Sequence, residues 1–251
     1  MKFAPRSPRN ATSPPLTGEV APGPRGENEK FVDYSVRMVT PRRLPRGRTA
    51  LPPEEVTRVQ RGRLCRAMIE AVAEKGFAAT SVQDVLQRSG VARQSFYQVF
   101  SSKLDCFLAA FDLATGYLKE RITEGLAPSP GDPDGGVHPL DLYERGLTAY
   151  LDALRTEWPA ARLFLAEIYA AGPDAVERRA ANQELLVSLH ADVLGATDER
   201  GMLACRMIVA AMASLVTGAA ATDRRDRLDE AAEQLRAYVR ALWDAGFFAP
   251  A

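Results

Sequence analysis

Apolar residues in this chain return every three or four positions, and nowhere alternate singly as in a half-buried strand. Leu64, Ala67-Met68 and Ala71-Val72 mark the inner face of a first helix that opens at Pro52-Pro53-Glu54-Glu55 and ends near Gly76. Proline fits a first helical turn, and carboxylates are favoured at the positive end of the helix dipole. Lys75 followed by glycine suits a C-terminus. Cys106, Phe107, Ala110-Phe111 and Leu118 carry the same period along a fourth helix that runs to about Thr123. After the loop APSPGDPDGG, helices are predicted at about 138–155, 159–171, 174–195, 199–221 and 226–246. The fold class is all-α. The pattern divides the chain into an N-terminal arm over 1–53, a short-helix module over 54–103 and a larger helical body over 104–251.

Between Gly76 and Lys103 the turn chemistry is specific. Thr80 offers a side-chain cap, with Gln83 three residues on to complete a capping box for a second short helix. Ser89-Gly90-Val91 ends that helix where glycine takes a left-handed conformation at little cost. A third helix follows over about 92–99, and two short helices joined by such a turn form a helix-turn-helix. Val91, Phe96 and Phe100 turn inward, while Arg93, Gln94, Ser95, Tyr97 and Gln98 face out. Arginine and glutamine make bidentate contacts to guanine and adenine edges in the major groove, so Arg93 and Gln94 are assigned to bases. Tyr97, Thr80 and Lys103 are assigned to phosphates, which position a reader without conveying sequence. Ser81 and Ala92 complete the candidate DNA-binding set. The competing reading is a solvated polar face on an ordinary bundle.

Over 64–107, through KGFAATSVQDV, SGV, SFYQVF and SKLDCF, the chain resembles the TetR family of bacterial transcriptional regulators. The resemblance implies a helix-turn-helix domain on a helical ligand-binding and dimerisation domain. It also implies a palindromic double-stranded DNA operator, a homodimer and release by a small-molecule effector, with repression as the common mode. Three positions depart from the family pattern. Ala92 stands where Ser or Thr usually caps the reading helix, Val99 where His, Tyr or Asn is common, and Leu86 where a small Ala is usual. The first two keep open an alternative, a helical ligand-binding or protein-interaction module that has lost specific DNA binding.

Charge adds to this picture. The whole chain is formally neutral, but residues 1–103 hold 18 Lys+Arg against 9 Asp+Glu and residues 104–251 hold 14 against 23. A basic front and an acidic back suit a protein that meets a polyanion from one side. The arm contains ten prolines and no apolar period, so it reads as disordered. Its Arg42, Arg43, Arg46 and Arg48 serve either as a solvated basic linker or as a minor-groove arm, and Met38 is an in-frame alternative start.

No apolar stretch at the N-terminus has signal-peptide length, and Cys65, Cys106 and Cys205 match neither a disulfide framework nor a metal site. They read as buried hydrophobes in a reducing cytoplasm. The segment 202–221 has membrane-span length, but its alanine content and Arg206 favour a buried core helix. With His138 and His190 the only histidines, no paired metal motif, phosphate loop or nucleophile elbow is present, so neither an enzyme, a metal nor a cofactor is expected. Leu228, Leu235, Val239 and Leu242 on the last helix, with Met212 on the one before, are read as a seam between subunits. Phe111, Tyr150, Trp158, Phe164, Glu167, Ile168 and His190 are candidates for an effector pocket, against the plainer reading of each as core.

Overall fold

The computed structural model describes residues 52–133 and 136–248, all of them within one compact unit. The expectations for the arm, disorder and minor-groove contact alike, lie outside the described residues except at Pro52 and Pro53. Among the described residues every regular element is helical. Four come first: α1 (Pro53–Ala79), α2 (Val82–Ser89), α3 (Arg93–Val99) and α4 (Lys103–Leu126). Then follow α5 (Pro139–Thr156), α6 (Trp158–Leu165), a 3-10 turn (Glu167–Ala171), α7 (Pro173–Leu194), α8 (Glu199–Ala221) and α9 (Arg227–Asp244).

Three local expectations change. First, α1 does not stop at Gly76 but kinks there, with φ 81° and ψ 161°, and resumes for one short turn. Second, the cap of α2 is Ser81, one residue beyond Thr80. The Ser81 hydroxyl accepts the Asp84 N–H at 3.3 Å, and the Asp84 carboxylate accepts the Ser81 N–H at 2.7 Å. Thr80 is instead buried, and its hydroxyl donates to the Gly76 carbonyl at 2.8 Å to close the end of α1. Third, the single helix expected over 159–171 divides after Leu165, and the tighter turn that follows brings Glu167 against α1.

One continuous core runs from Leu64 to Phe248. Helix α4 lies against α1, α5 and α6, while α8 is flanked by α6, α7 and α9. The face expected to join two subunits is part of this core: Met212, Leu228, Leu235 and Val239 are buried within the single chain, and Leu242 packs against them. The seam is real, but α9 uses it against α8 and α5. Pairs between Arg236 and Glu144 at 3.3 Å and between Arg155 and Asp229 at 2.5 Å fasten α9 over α5 from the outside. Helix α8 has the length and apolar character of a membrane span. Ala204, Cys205, Ile208, Val209, Met212 and Val216 bury one of its faces, while Leu203 and Met207 lie exposed on another.

Candidate nucleic-acid interface

Helix α3 is held from below and open above. Val91, Phe96 and Phe100 are buried, with the Phe96 ring 5.2 Å from Tyr97 and 5.7 Å from Phe100. The Arg61 guanidinium lies 4.8 Å from the Phe100 ring centroid, so α1 covers this small core with a cation. Gly90 takes φ 63° in the turn before α3, and a Cβ there would stand 3.1 Å from an Arg63 terminal nitrogen. That Arg63 nitrogen donates to the Ser89 carbonyl, so glycine serves both the backbone conformation and the brace.

On the outer side, Ala92, Arg93, Gln94, Tyr97 and Gln98 are exposed, and Ser95 is half-buried. Tyr97 leaves half of its surface free, and the Arg93 guanidinium sits 5.6 Å from its ring. Residues 93 and 97, like 94 and 98, are one turn apart and share a face. At seven residues the helix is about 10 Å long, which fits a major groove about 12 Å wide. Ala92 gives the helix no side-chain cap, and Val99 packs against the core. Ser81 is exposed at the start of α2, while Thr80 has no outward surface for a phosphate.

Lys103 has a second occupation that its sequence position does not advertise. Its ammonium donates to the carbonyls of Phe77 and Thr80, each at 3.0 Å, and lies 4.1 Å from the Phe77 ring. It therefore caps the end of α1 from the first turn of α4. On the other side of the same bend, the Glu167 carboxylate accepts the Phe77 N–H at 2.9 Å. A Cβ on Gly76 would come within 3.1 Å of that carboxylate. The kink is thus gripped by a cation from α4 and an anion from the 3-10 turn. Arg66 to Glu157 at 3.3 Å adds a parallel tie from α1 to the α5–α6 junction. Burial raises the Glu157 carboxyl above its ordinary value, against the opposing pull of Arg66. Beside α2, the Lys75 ammonium and then Ser81 hold the Asp84 carboxyl well below the usual carboxylate range.

Two neighbouring cavities open in the body. The larger, of about 30 Å³, is lined by α4, α5, α7 and α8 and is bordered by Tyr143, Leu147, Tyr150, Leu189 and His190. The smaller, of about 10 Å³, is bordered by Phe164, Arg179 and Asn182, and Tyr150, Leu186 and Met212 line both. Of the seven candidate pocket residues, Tyr150, Phe164 and His190 are brought to these cavities. Phe111 packs 5.8 Å from Phe164 and borders a shallow outer groove. Trp158, Glu167 and Ile168 lie elsewhere: the Trp158 indole donates to Asp223 at 2.6 Å, Glu167 holds the α1 kink, and Ile168 is fully buried core. Burial pulls the His190 imidazole below its ordinary value of 6.5, while a 2.7 Å contact from Nδ1 to the Leu186 carbonyl pulls the other way. Burial also pushes the Cys65 thiol up to about 12 and that of Cys205 to about 11, so both stay protonated. Among the described residues, no three His, Cys, Asp or Glu side chains gather as metal ligands.

Residues 66–110 match bacterial regulatory proteins of the tetR family. YezE of Bacillus subtilis (strain 168), an uncharacterized HTH-type transcriptional regulator, is 33% identical over 89 residues, 36% of this chain and 44% of that protein. The match therefore spans less than half of that relative's length. A TetR-like transcriptional regulator from Rhodococcus sp. RHA1 superposes with a TM-score of 0.55 at 20% identity, covering 78% of this chain and 99% of that one. A TetR-family transcriptional regulator from Streptomyces coelicolor does so with a TM-score of 0.56 at 24% identity, covering 74% and 98%. These two structures share the fold.

Proposed function

We propose that the whole protein is a sequence-specific, effector-released transcriptional regulator, on the premise that residues 66–110 match the tetR family of bacterial regulatory proteins. The observation that carries the proposal is the exposed Arg93, Gln94, Tyr97 and Gln98 face on a short helix braced by Arg61 and Arg63. Arg93 and Gln94 read base edges, while Ser81, Ser95, Tyr97 and Gln98 meet the backbone. Lys103 keeps a third N–H beyond its two carbonyl contacts, so a phosphate bond there is compatible with its capping role. The protein acts in the cytoplasm, as a regulator rather than an enzyme.

The second subunit packs on the outer faces of α8 and α9. Leu203 and Met207 are 58% and 53% exposed one turn apart on α8, and Tyr238 is exposed on α9. Two such helices from each copy give a four-helix interface. Twofold symmetry then sets the reading helices about 34–36 Å apart, one turn of the duplex. The domain division at 103 is a functional one, since α1 belongs to the core of both parts.

An effector in the cavities favours the released arrangement only by binding it better than the DNA-bound one. The route to the reader runs along α4, whose Phe107 ring lies 4.7 Å from Phe77 and whose Phe111 ring meets Phe164. It also runs through Glu167 to the α1 kink. Fluorescence anisotropy of the full chain on mixed-sequence duplexes, across a salt series, tests the proposal. Binding should weaken steeply with salt as phosphate counterions are released. No binding at low salt would overturn it and leave the non-DNA alternative that Ala92 and Val99 keep in view.

A further inference from the structure

Arg179 is the one charged side chain among the described residues that is buried without a carboxylate partner; only 4% of its surface is exposed. Its contacts are all neutral. Nε donates to the Tyr169 hydroxyl at 2.9 Å, one terminal nitrogen to the Phe164 carbonyl at 2.8 Å, and the other, weakly, to the Thr217 hydroxyl at 3.4 Å. Its guanidinium carbon also lies 5.1 Å from the Tyr169 ring and 5.6 Å from that of Phe164. These contacts orient the group but leave its charge unneutralised, and a buried charge without a counterion is costly. Two N–H groups remain, one on each terminal nitrogen.

Arg179 borders the smaller cavity, and Tyr150, Leu186 and Met212 line both this cavity and the larger one. Along α7, Arg179 and His190 are eleven residues apart, about 16 Å of helix, so the two cavities together follow the helix from a cationic end to an apolar one. The apolar end holds a second unsatisfied group. Tyr143, which lines the larger cavity, is 5% exposed, and its hydroxyl has no hydrogen-bond partner. A closed core does not ordinarily keep an unpaired cation and an orphaned hydroxyl on residues that border neighbouring cavities.

Resting on the effector-released reading above, we propose that the ligand class is an amphipathic carboxylic acid. Its carboxylate sits on Arg179 and its apolar body lies between α5 and α7 along the larger cavity, which widens to admit it. Arginine suits this task because its planar fork takes a carboxylate bidentately while the rest of the group is held in place. A neutral amphiphile would leave the charge as it is, and an amine would add a second cation beside it.

The test is calorimetric titration of the full chain, without DNA, using hexanoate, decanoate and tetradecanoate, with decanol and decylamine as matched controls. At least one carboxylate should bind one-to-one, and decanoate should bind roughly tenfold or more tighter than decanol, equivalent to about 1.4 kcal/mol. Arg179→Met should remove that preference while leaving decanol affinity within about threefold of the parent, as expected if only the charge contact is lost. Leu147→Trp, which fills the larger cavity and leaves Arg179 untouched, should abolish binding of every probe and keeps the test valid if the arginine variant fails to fold. Failure of all three carboxylates to bind, equal affinity for decanoate and decanol, or persistence of the preference in Arg179→Met would each overturn the proposal. Anisotropy on DNA with the same preparations separates the two readings. DNA binding without carboxylate preference overturns only the ligand class, whereas carboxylate binding without DNA binding overturns only the regulator.

Discussion

Replacing Glu167 by alanine removes the acceptor that holds the α1 kink to the body. The native carboxylate takes the Phe77 N–H at 2.9 Å, next to a half-buried Gly76 whose φ of 81° turns the chain out of the helix. Hydrogen bonds to charged groups contribute about 1.5–3 kcal/mol, and a donor left unsatisfied in a partly buried site costs about 1–3 kcal/mol. A loss of about 2 kcal/mol is therefore expected, and each kcal/mol lowers the melting temperature of a domain of this size by about 2–4 °C. Lys103 still caps Phe77 and Thr80 from the other side, so the reader should loosen rather than detach. Thermal unfolding by circular dichroism should place Glu167→Ala roughly 4–8 °C below the parent, with Glu167→Gln in between because its amide oxygen still accepts. Mixed-sequence DNA affinity should fall in the same order. An alanine variant that melts within about a degree of the parent would refute the role assigned to this carboxylate.

Gln94→Ala should relax preference at one base pair per half-site and cost about 1–3 kcal/mol per lost bidentate contact, checked by selecting binding sites from random DNA. Met207→Arg, on the exposed face of α8, should halve the mass seen by light scattering while leaving the fold intact. Leu235→Arg should instead unfold the chain, because Leu235 is core and the new charge would be buried unpaired. The folded chain holds His190 below 6.5, so it binds fewer protons at that site than the unfolded chain. The stability this contributes is present above about 6.5 and is lost as pH falls toward the lowered value, a slope that His190→Phe should flatten in melts from pH 7 downward.

Much of the architecture was legible in the sequence because it depends on local chemistry. Gly90 with its positive φ, the inward Val91, Phe96 and Phe100, and the period of α4 to α9 all follow from neighbours within a few residues. The errors share the opposite cause. Thr80 and Ser81 both suit an N-cap, and the choice is made by the Gly76 carbonyl and the Asp84 carboxylate, contacts fixed only once α1 bends. Leu228, Leu235 and Val239 have the spacing of a helix seam, but spacing does not say whether the partner helix belongs to the same chain. Glu167 and Trp158 read as pocket residues because nothing near them in sequence reveals Phe77 or Asp223, which lie 90 and 65 residues away. Arg179, the anchor of the ligand proposal, gave no signal at all, since an arginine among Glu177, Arg178 and Glu184 looks like part of a solvated helix face.

A twofold protein that reads bases through Arg93 and Gln94 must select a defined, symmetric site. Selection of binding sites from random duplex DNA with the unmodified full chain tests it most directly. The selected sites should form an inverted repeat whose half-sites are centred about 10 base pairs apart or a multiple of that, with fixed bases where the start of each α3 would lie. Recovery of unrelated sequences, or of a single unpaired half-site, would contradict it.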